Sequence, residues 1–94
     1  MENFKLNNWR IIKDDISELA DNCSEKFLTE DLFQIQQNDY TIDAGWYGCK
    51  NGFITYLIYK YDWENPLIRI ESNSISNCLN AINLIKKYVL QITK

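Results

Sequence analysis

The stretch "DYTIDAGWYGCKNGFITYLIYKYDWENP", residues 39–66, decides the fold class because aromatic and β-branched residues dominate it. Within it, Asn51-Gly52 is a residue pair typical of the two-residue type I′ turn, since both central positions of that turn need positive φ. The stretch therefore predicts an antiparallel hairpin in which Lys50 faces Phe53.

The register of this hairpin divides its side chains between two faces. It pairs Trp46 with Leu57 and Asp43 with Lys60 across the strands. The first face carries Ile42, Ala44, Trp46, Leu57, Tyr59 and Tyr61, and is predicted to be core. The second face carries Asp43, Gly45, Tyr47, Cys49, Ile54, Tyr56, Ile58 and Lys60, a mixture of apolar, hydroxyl-bearing and charged groups.

Helices are predicted before the hairpin. A first helix begins after Asn7 or Asn8, either of which can cap it. Its apolar stripe consists of Trp9, Ile12, Ile16, Leu19, Ala20 and Cys23. A second, shorter helix begins at Thr29, with Glu30 and Asp31 in its first turn, where the helix dipole favours negative charge.

A strand and a helix are predicted after the hairpin. "DWENP" supplies a turn, and "LIRIES" reads as a third strand. Ser72, Asn73 or Ser74 then caps a final helix with an apolar stripe of Ile75, Cys78, Leu79, Ile82, Ile85 and Val89. The predicted fold is α+β, a single domain over residues 1–94 with N-terminal helices, a three-stranded antiparallel meander and a C-terminal helix packed on the sheet.

Composition predicts a small cytoplasmic protein. Ninety-four residues with 46% hydrophobic content build one core. Three widely spaced cysteines, Cys23, Cys49 and Cys78, predict reduced thiols and hence a reducing compartment. The start "MENFKLNNWR" lacks a signal-peptide pattern, and no apolar run approaches the eighteen residues that predict a membrane span.

Negative charge is concentrated in one part of the chain. Net charge is −3 overall, but residues 14–43 hold nine carboxylates and one lysine, a net charge of −8. Such a field repels nucleic acid and attracts basic partners. The alternative is that two helices each present a solvated acidic face.

Catalysis is not indicated by the residues present. The sequence has no histidine, which removes the commonest general base and the common nucleophile pairs. Adjacent carboxylates such as Asp14 with Asp15 lie where a helix surface or turn places acids in any case. We expect no enzyme activity, no cofactor and no metal.

A protein-binding surface remains as the functional hypothesis. Tyrosine and tryptophan dominate interface hot spots, and carboxylates steer basic partners. The candidate partner-binding residues are Asp14, Asp15, Glu18, Asp21, Asp43, Tyr47, Tyr56, Asp62, Trp63 and Glu64. Two of them have structural alternatives: Asp43 can form a cross-strand ion pair with Lys60, and Trp63 can fold back over the sheet edge.

Residues 43–67 resemble a segment of small bacterial immunity proteins of polymorphic and contact-dependent toxin systems. Several of those proteins have an Asp-x-Gly-Trp-Tyr strand, a turn, a strand led by glycine and Phe, and then Asp-Trp-Glu-x-Pro. The matching residues are Asp43, Gly45, Trp46, Tyr47, Gly52, Phe53, Asp62, Trp63, Glu64 and Pro66. The resemblance covers about a quarter of the chain, and its motifs are structural.

The resemblance implies an antitoxin that binds a cognate toxin domain and occludes its active site. Such toxins are often nucleases with basic clefts, to which an acidic protein is complementary. Nucleic acid and membranes are not expected partners, and the chain is expected to be a monomer or a weak dimer. Two alternatives stay open: a phage-type inhibitor such as an anti-CRISPR protein, and a generic protein-interaction module.

Overall fold

The described residues form one antiparallel sheet and one helix. The structure is a computed structural model that describes residues 9–17, 19, 28–48 and 52–93. Its elements are the strands β1 (Arg10–Asp14), β2 (Phe33–Gln37), β3 (Tyr40–Tyr47), β4 (Gly52–Tyr59) and β5 (Ile68–Ser72), followed by the helix α1 (Ile75–Ile92). The strands lie in the sheet in sequence order, so each strand pairs with its neighbours along the chain.

Helix α1 covers one face of the sheet. Ser74 caps it by accepting a hydrogen bond from the backbone N–H of Asn77 at 3.0 Å. Its buried stripe consists of Ile75, Cys78, Ala81, Ile82, Ile85 and Val89. Together with Phe33, Ile35, Ile42, Ala44, Phe53 and Leu57 from the sheet, this stripe forms the core. The final helix and its apolar face are therefore confirmed.

The predictions of N-terminal helices and of a three-stranded sheet are wrong. The elements described before α1 are the strands β1 to β5, which form one sheet. The stripe from Trp9 to Cys23 does not form one helical face, because β1 ends at Asp14 and a turn follows. Ile16 is buried in that turn, whereas Ile12 is about half exposed on the strand. Asn7, Asn8, Ala20 and Cys23 lie outside the described residues.

The second predicted helix is also replaced by a strand. Thr29 Oγ1 accepts a hydrogen bond from the backbone N–H of Asp31 at 3.3 Å, which forms a local turn rather than the start of a helix. In β2, buried Phe33 and Ile35 alternate with less buried Gln34, a period of two residues. The pairing of Gln37 with Tyr40 then leaves a two-residue turn between β2 and β3. Alternation and a tight turn therefore favour a hairpin at this position.

The register of the central hairpin differs from the predicted register by four residues. Trp46 pairs with Phe53, not with Leu57, and Gly52 lies in β4 opposite Tyr47. A two-residue turn at Asn51-Gly52 is therefore excluded, because Gly52 is already part of the paired strand. The shift is an even number of residues, so it leaves each side chain of the paired strands on the face that was predicted.

Two residues at the far end of the hairpin were placed incorrectly. Tyr61 was predicted to face the core, but it lies in a turn beyond β4 and is 62% exposed. Lys60 lies in the same turn, so the predicted ion pair with Asp43 does not form. Asp43 instead pairs in register with Tyr56. The turn at "DWENP" and the strand after it lie where they were predicted.

Candidate protein-binding face

One face of the sheet is turned away from α1, and we call it the open face. Because side chains alternate along a strand, the neighbours of the buried Ile42 and Ala44 on β3 point to it. These neighbours are Thr41, Asp43 and Gly45, with Tyr47 beyond. Of the described helices and strands, none packs on this face as α1 packs on the other. This face is not uniformly exposed, because Thr41, Ile54 and Ile58 on it are 2%, 3% and 0% exposed. Its partly exposed side chains include Asp43, Tyr47 and Tyr56, and these are the candidates for contact with a partner.

A row of five polar side chains crosses the open face. The register pairs Lys13 with Gln34, Gln34 with Asp43, Asp43 with Tyr56, and Tyr56 with Arg69. One residue from each of the five strands therefore lies in a single line perpendicular to the strands. We call this line the cross-strand row. Residues directly opposed in this way have Cβ atoms about 5 Å apart. Within the row, Gln34 is hydrogen-bonded to Asp43, and Arg69 is hydrogen-bonded to Tyr56.

The cations at the two ends of the row are held by carboxylates of the same chain. Lys13 forms ion pairs with Asp31 at 3.3 Å and with Asp15 at 3.5 Å. These contacts, led by the hydrogen bond to Asp31, raise the pKa of Lys13. At the other end Arg69 pairs with Glu71, and hydrogen bonds to Glu71 and Tyr56 raise the pKa of Arg69. Arg69 thus also reaches Tyr56 within the row, but neither cation forms an ion pair with Asp43.

The centre of the row is a partly desolvated carboxylate. Asp43 Oδ2 accepts a hydrogen bond from Gln34 Nε2 at 3.1 Å. Burial raises the pKa of Asp43, the hydrogen bond from Gln34 opposes the rise, and the negative charge of Asp31 adds to it. The ion pairs found among the described residues do not include Asp43. This carboxylate therefore carries a desolvation cost that no described lysine or arginine offsets.

Two tyrosines flank this carboxylate. Tyr56 is its direct cross-strand partner, and Tyr47 lies further along β3 on the same face. Burial raises the pKa of Tyr47, and the nearby Tyr56, Asp43 and Glu30 raise it further, which places these groups within electrostatic reach of one another. Three of the predicted contact residues, Asp43, Tyr47 and Tyr56, are thus brought together.

The other predicted residues lie elsewhere. Asp14 has a structural role, because its carboxylate accepts hydrogen bonds from the backbone N–H groups of Ile16 and Ser17 at 3.2 and 3.0 Å. Asp15 is exposed and paired with Lys13. Asp62, Trp63 and Glu64 are exposed in the loop between β4 and β5. Glu18 and Asp21 lie outside the described residues.

Sequence reasoning missed Lys13, Gln34 and Arg69 as members of the row. Gln34 was missed because its segment was predicted to be helical, although its alternation with Phe33 and Ile35 was a signal for a strand. Arg69 had a similar signal, since it alternates with Ile68 and Ile70 in the predicted third strand. Lys13 had no such signal, because a bulge between Ile11 and Lys13 interrupts the alternation of β1.

Among the described residues, neither a metal-ligand cluster nor a membrane-spanning helix is found. They contain no grouping of three or more cysteine and carboxylate side chains suited to a metal ion. Within the same part of the chain, no helix has the length and hydropathy that a membrane crossing requires. Comparison with protein-family models, curated proteins and solved structures finds no match for this chain.

Proposed function

We propose that this protein is a cytoplasmic antitoxin that binds the toxin domain of a cognate effector through the open face and blocks its active site. The observation that carries the proposal is the Asp43 carboxylate at the centre of the cross-strand row. A basic group of the toxin that pairs with this carboxylate offsets a desolvation cost already present in the free protein. The toxin domain is proposed to be basic, as in a nuclease.

The surroundings of Asp43 support binding to a protein. Tyr47 and Tyr56 offer ring area and hydroxyl groups beside the carboxylate, a combination common in interface hot spots. Additional negative charge lies at the β1–β2 end of the face, where Asp15, Glu30 and Asp31 follow or precede the strands. A phosphate backbone is disfavoured by these carboxylates, whereas a cleft that binds phosphates is complementary to them.

The residues shared with immunity proteins divide between scaffold and surface. Trp46 is packed against the core and Phe53 is buried in it. Gly45 lies beneath the backbone of Glu30, where a side chain does not fit. Asp43 and Tyr47 are the members of the motif whose side chains lie on the open face. The resemblance therefore supports mainly a shared scaffold. It supports a shared contact surface only at Asp43, at Tyr47 and in the loop after β4.

The proposed cytoplasmic location rests on the odd number and wide spacing of the cysteines in the sequence. Cys78 is a free, buried thiol whose Sγ lies 3.5 Å from Thr55 Oγ1. Burial raises the pKa of Cys78, so the thiol stays protonated and unreactive at neutral pH. Cys23 and Cys49 lie outside the described residues.

Co-expression tests the proposal. The polypeptide encoded immediately upstream is expressed in bacteria alone, with this protein, and with the variant Asp43→Lys. We expect growth arrest without this protein, rescue by the wild type, and loss of rescue and of co-purification with Asp43→Lys. An upstream product that is harmless alone, or remains toxic beside the wild-type protein, contradicts the proposed function.

A matched control separates the contact at Asp43 from net charge. The double variant Asn83→Lys/Gln91→Lys changes the net charge by the same +2, at exposed positions of α1 remote from the open face. It is expected to rescue growth as the wild type does. Equal loss of rescue in both variants shows that overall charge, rather than the open face, governs binding.

A further inference from the structure

The loop between β4 and β5, residues 60–67, begins with an unfavourable turn. The backbone N–H of Asp62 donates to the carbonyl of Tyr59 at 3.1 Å. The two central residues, Lys60 and Tyr61, have φ of 54° and 62°. A left-handed conformation costs roughly 1–2 kcal/mol for each residue that carries a Cβ. Asn-Gly is the preferred pair at such a turn, yet the chain has Lys-Tyr.

The remainder of this loop is held by its own hydrogen bonds. Trp63 N–H donates to the Tyr61 carbonyl at 3.0 Å, and Asn65 N–H donates to the Asp62 carbonyl at 3.3 Å. The Asn65 side chain also donates to the Asp62 carboxylate at 3.3 Å. Leu67 N–H donates to the Leu57 carbonyl at 2.8 Å. A loop fixed in this way loses little conformational entropy when it binds a ligand.

The turn directs aromatic rings into solvent. Tyr61 is 62% exposed and Trp63 is 47% exposed. Tyr59, whose ring centroid lies 5.0 Å from that of Tyr40, is also exposed at the base of the loop. Strained backbone that displays large aromatic side chains is a common feature of binding sites, where strain in the free protein is retained because the side chains are needed.

The charges in the loop favour a cationic ligand. Lys60 Nζ already lies 5.4 Å from the centroid of the Tyr59 ring, so an ammonium group is accommodated against an aromatic face here. Asp62 and Glu64 supply two carboxylates against the one lysine. A guanidinium group stacks on aromatic rings and pairs with carboxylates at the same time. Phosphate groups of nucleic acid or lipid are repelled by those carboxylates.

We propose that the 60–67 loop binds an arginine side chain of the partner protein, stacked on Tyr61 and Trp63 and paired with the carboxylates of Asp62 and Glu64. The inference rests on the proposed function in one respect, namely that the ligand is a protein. It adds a second contact beyond the open face and names the residue type that the partner supplies there.

The test replaces the strained pair with the preferred pair. The variant Lys60→Asn/Tyr61→Gly is titrated with a nona-arginine peptide by isothermal titration calorimetry, a readout that does not depend on Trp63. We expect roughly fivefold weaker binding than in the wild type, because the loop loses an aromatic face. The variant is also more negative by one charge, so attraction by net charge alone predicts tighter binding. Unchanged or tighter binding therefore overturns the inference.

Stability and a second variant complete the test. Lys60→Asn/Tyr61→Gly is expected to unfold at the same or a higher denaturant concentration than the wild type, since it relieves the turn. A clear decrease means that Lys60 and Tyr61 serve the fold, which overturns the inference. Trp63→Ala is expected to weaken peptide binding while leaving the unfolding midpoint nearly unchanged.

Further measurements distinguish the arginine ligand from other ligands of the loop, and distinguish failure of this inference from failure of the proposed function. Binding to phosphatidylglycerol vesicles that requires Trp63 overturns the inference in favour of a lipid surface. Self-association that requires Trp63, measured by sedimentation, overturns it in favour of a second copy. The peptide titration contains no toxin, so its outcome stands even when co-expression fails. If Asp43→Lys loses toxin neutralisation and both loop variants keep it, the loop contact is contradicted and the proposed function is not.

Discussion

Gly45 lies where two stretches of backbone cross. A Cβ atom at this position would overlap the carbonyl group of Glu30 and lie 2.9 Å from its Cα atom. The crossing is fixed on both sides, because Trp46 N–H donates to the Thr29 carbonyl at 2.8 Å and Leu32 N–H donates to the Ala44 carbonyl at 3.3 Å. The backbone on either side of Glu30 is held by these hydrogen bonds, so Glu30 has little freedom to move away from an added Cβ atom.

Substitution of Gly45 therefore tests the crossing. We expect Gly45→Ala to lower the free energy of unfolding by about 1–3 kcal/mol, the usual range for overpacking. Denaturant unfolding measures the change. Glu30→Ala is the control, because it removes an exposed side chain and leaves the crossing backbone in place. A Gly45→Ala variant as stable as the wild type contradicts the close approach.

The pKa of Asp43 gives a prediction on the pH dependence of stability. Burial raises the folded-state pKa above the unfolded value, so the ionised carboxylate opposes folding. The stabilising contribution belongs to the protonated carboxyl group. It is fully present below the unfolded pKa and is lost as pH rises through the folded pKa. We expect Asp43→Asn to be more stable than the wild type at pH 7, with the difference shrinking as the pH falls and Asp43 becomes protonated.

Denaturant unfolding at pH 7 and in mild acid measures this difference. Glu64→Gln is the control, because it removes one carboxylate at an exposed position in a loop. Its effect on stability is subtracted as the general contribution of net charge. An Asp43→Asn variant less stable than the wild type at pH 7 means that the carboxylate has a favourable partner, and contradicts the role proposed for it.

At the scale of elements, the sequence predicts the second half of the chain better than the first. The β4–β5 meander and α1 follow from alternation, turn chemistry and helical periodicity, which agree with one another there. In the first half these signals conflict. Trp9, Ile12 and Ile16 recur at helical spacing, yet residues 10–14 pair with β2 as an edge strand. Pairing between distant segments overrides local periodicity and is not visible in either segment alone.

The hairpin register shows which part of a site depends on turn chemistry. Asn51-Gly52 predicted the wrong partner for every residue of β3, because Gly52 belongs to the strand. Because the error is four residues, Asp43, Tyr47 and Tyr56 were still assigned to one face. Periodicity of two thus predicted three members of the candidate site. The direct pairing of Asp43 with Gln34 and Tyr56 required the three-dimensional structure.

Adjacent residues of α1 test how this helix is packed. Ile85 is 1% exposed against the sheet, and Leu84 beside it is 62% exposed. We expect Ile85→Ala to lower the free energy of unfolding by about 2–5 kcal/mol through lost burial and a residual cavity. Leu84→Ala is the matched control, with an expected change within about 0.5 kcal/mol. Similar losses in the two variants contradict the orientation of the helix.

At the scale of the whole molecule, the architecture separates stability from recognition. In the described part of the chain, α1 packs on one face of the sheet, and the opposite face carries buried Ile54 and Ile58 together with a row of polar groups. The two cations of that row form ion pairs within the chain: Lys13 pairs with Asp31, and Arg69 pairs with Glu71. The acidic groups around Asp43 therefore dominate the field that an approaching partner meets at this face, although net charge is only −3.

This field predicts salt-dependent association with the toxin domain of the proposed function. We expect Asp15→Asn/Glu30→Gln to slow association several-fold at low salt, because both carboxylates are exposed and steer a basic partner. The difference should shrink near 1 M salt, where the screening length falls to about 3 Å. Asn83→Lys/Gln91→Lys, with the same +2 change on α1, should slow association less, since its charges lie away from the open face. Stopped-flow mixing with the co-purified toxin measures the association rates of the wild type and of the two double variants. Equal slowing by both variants would mean that net charge, rather than this end of the sheet, steers the partner.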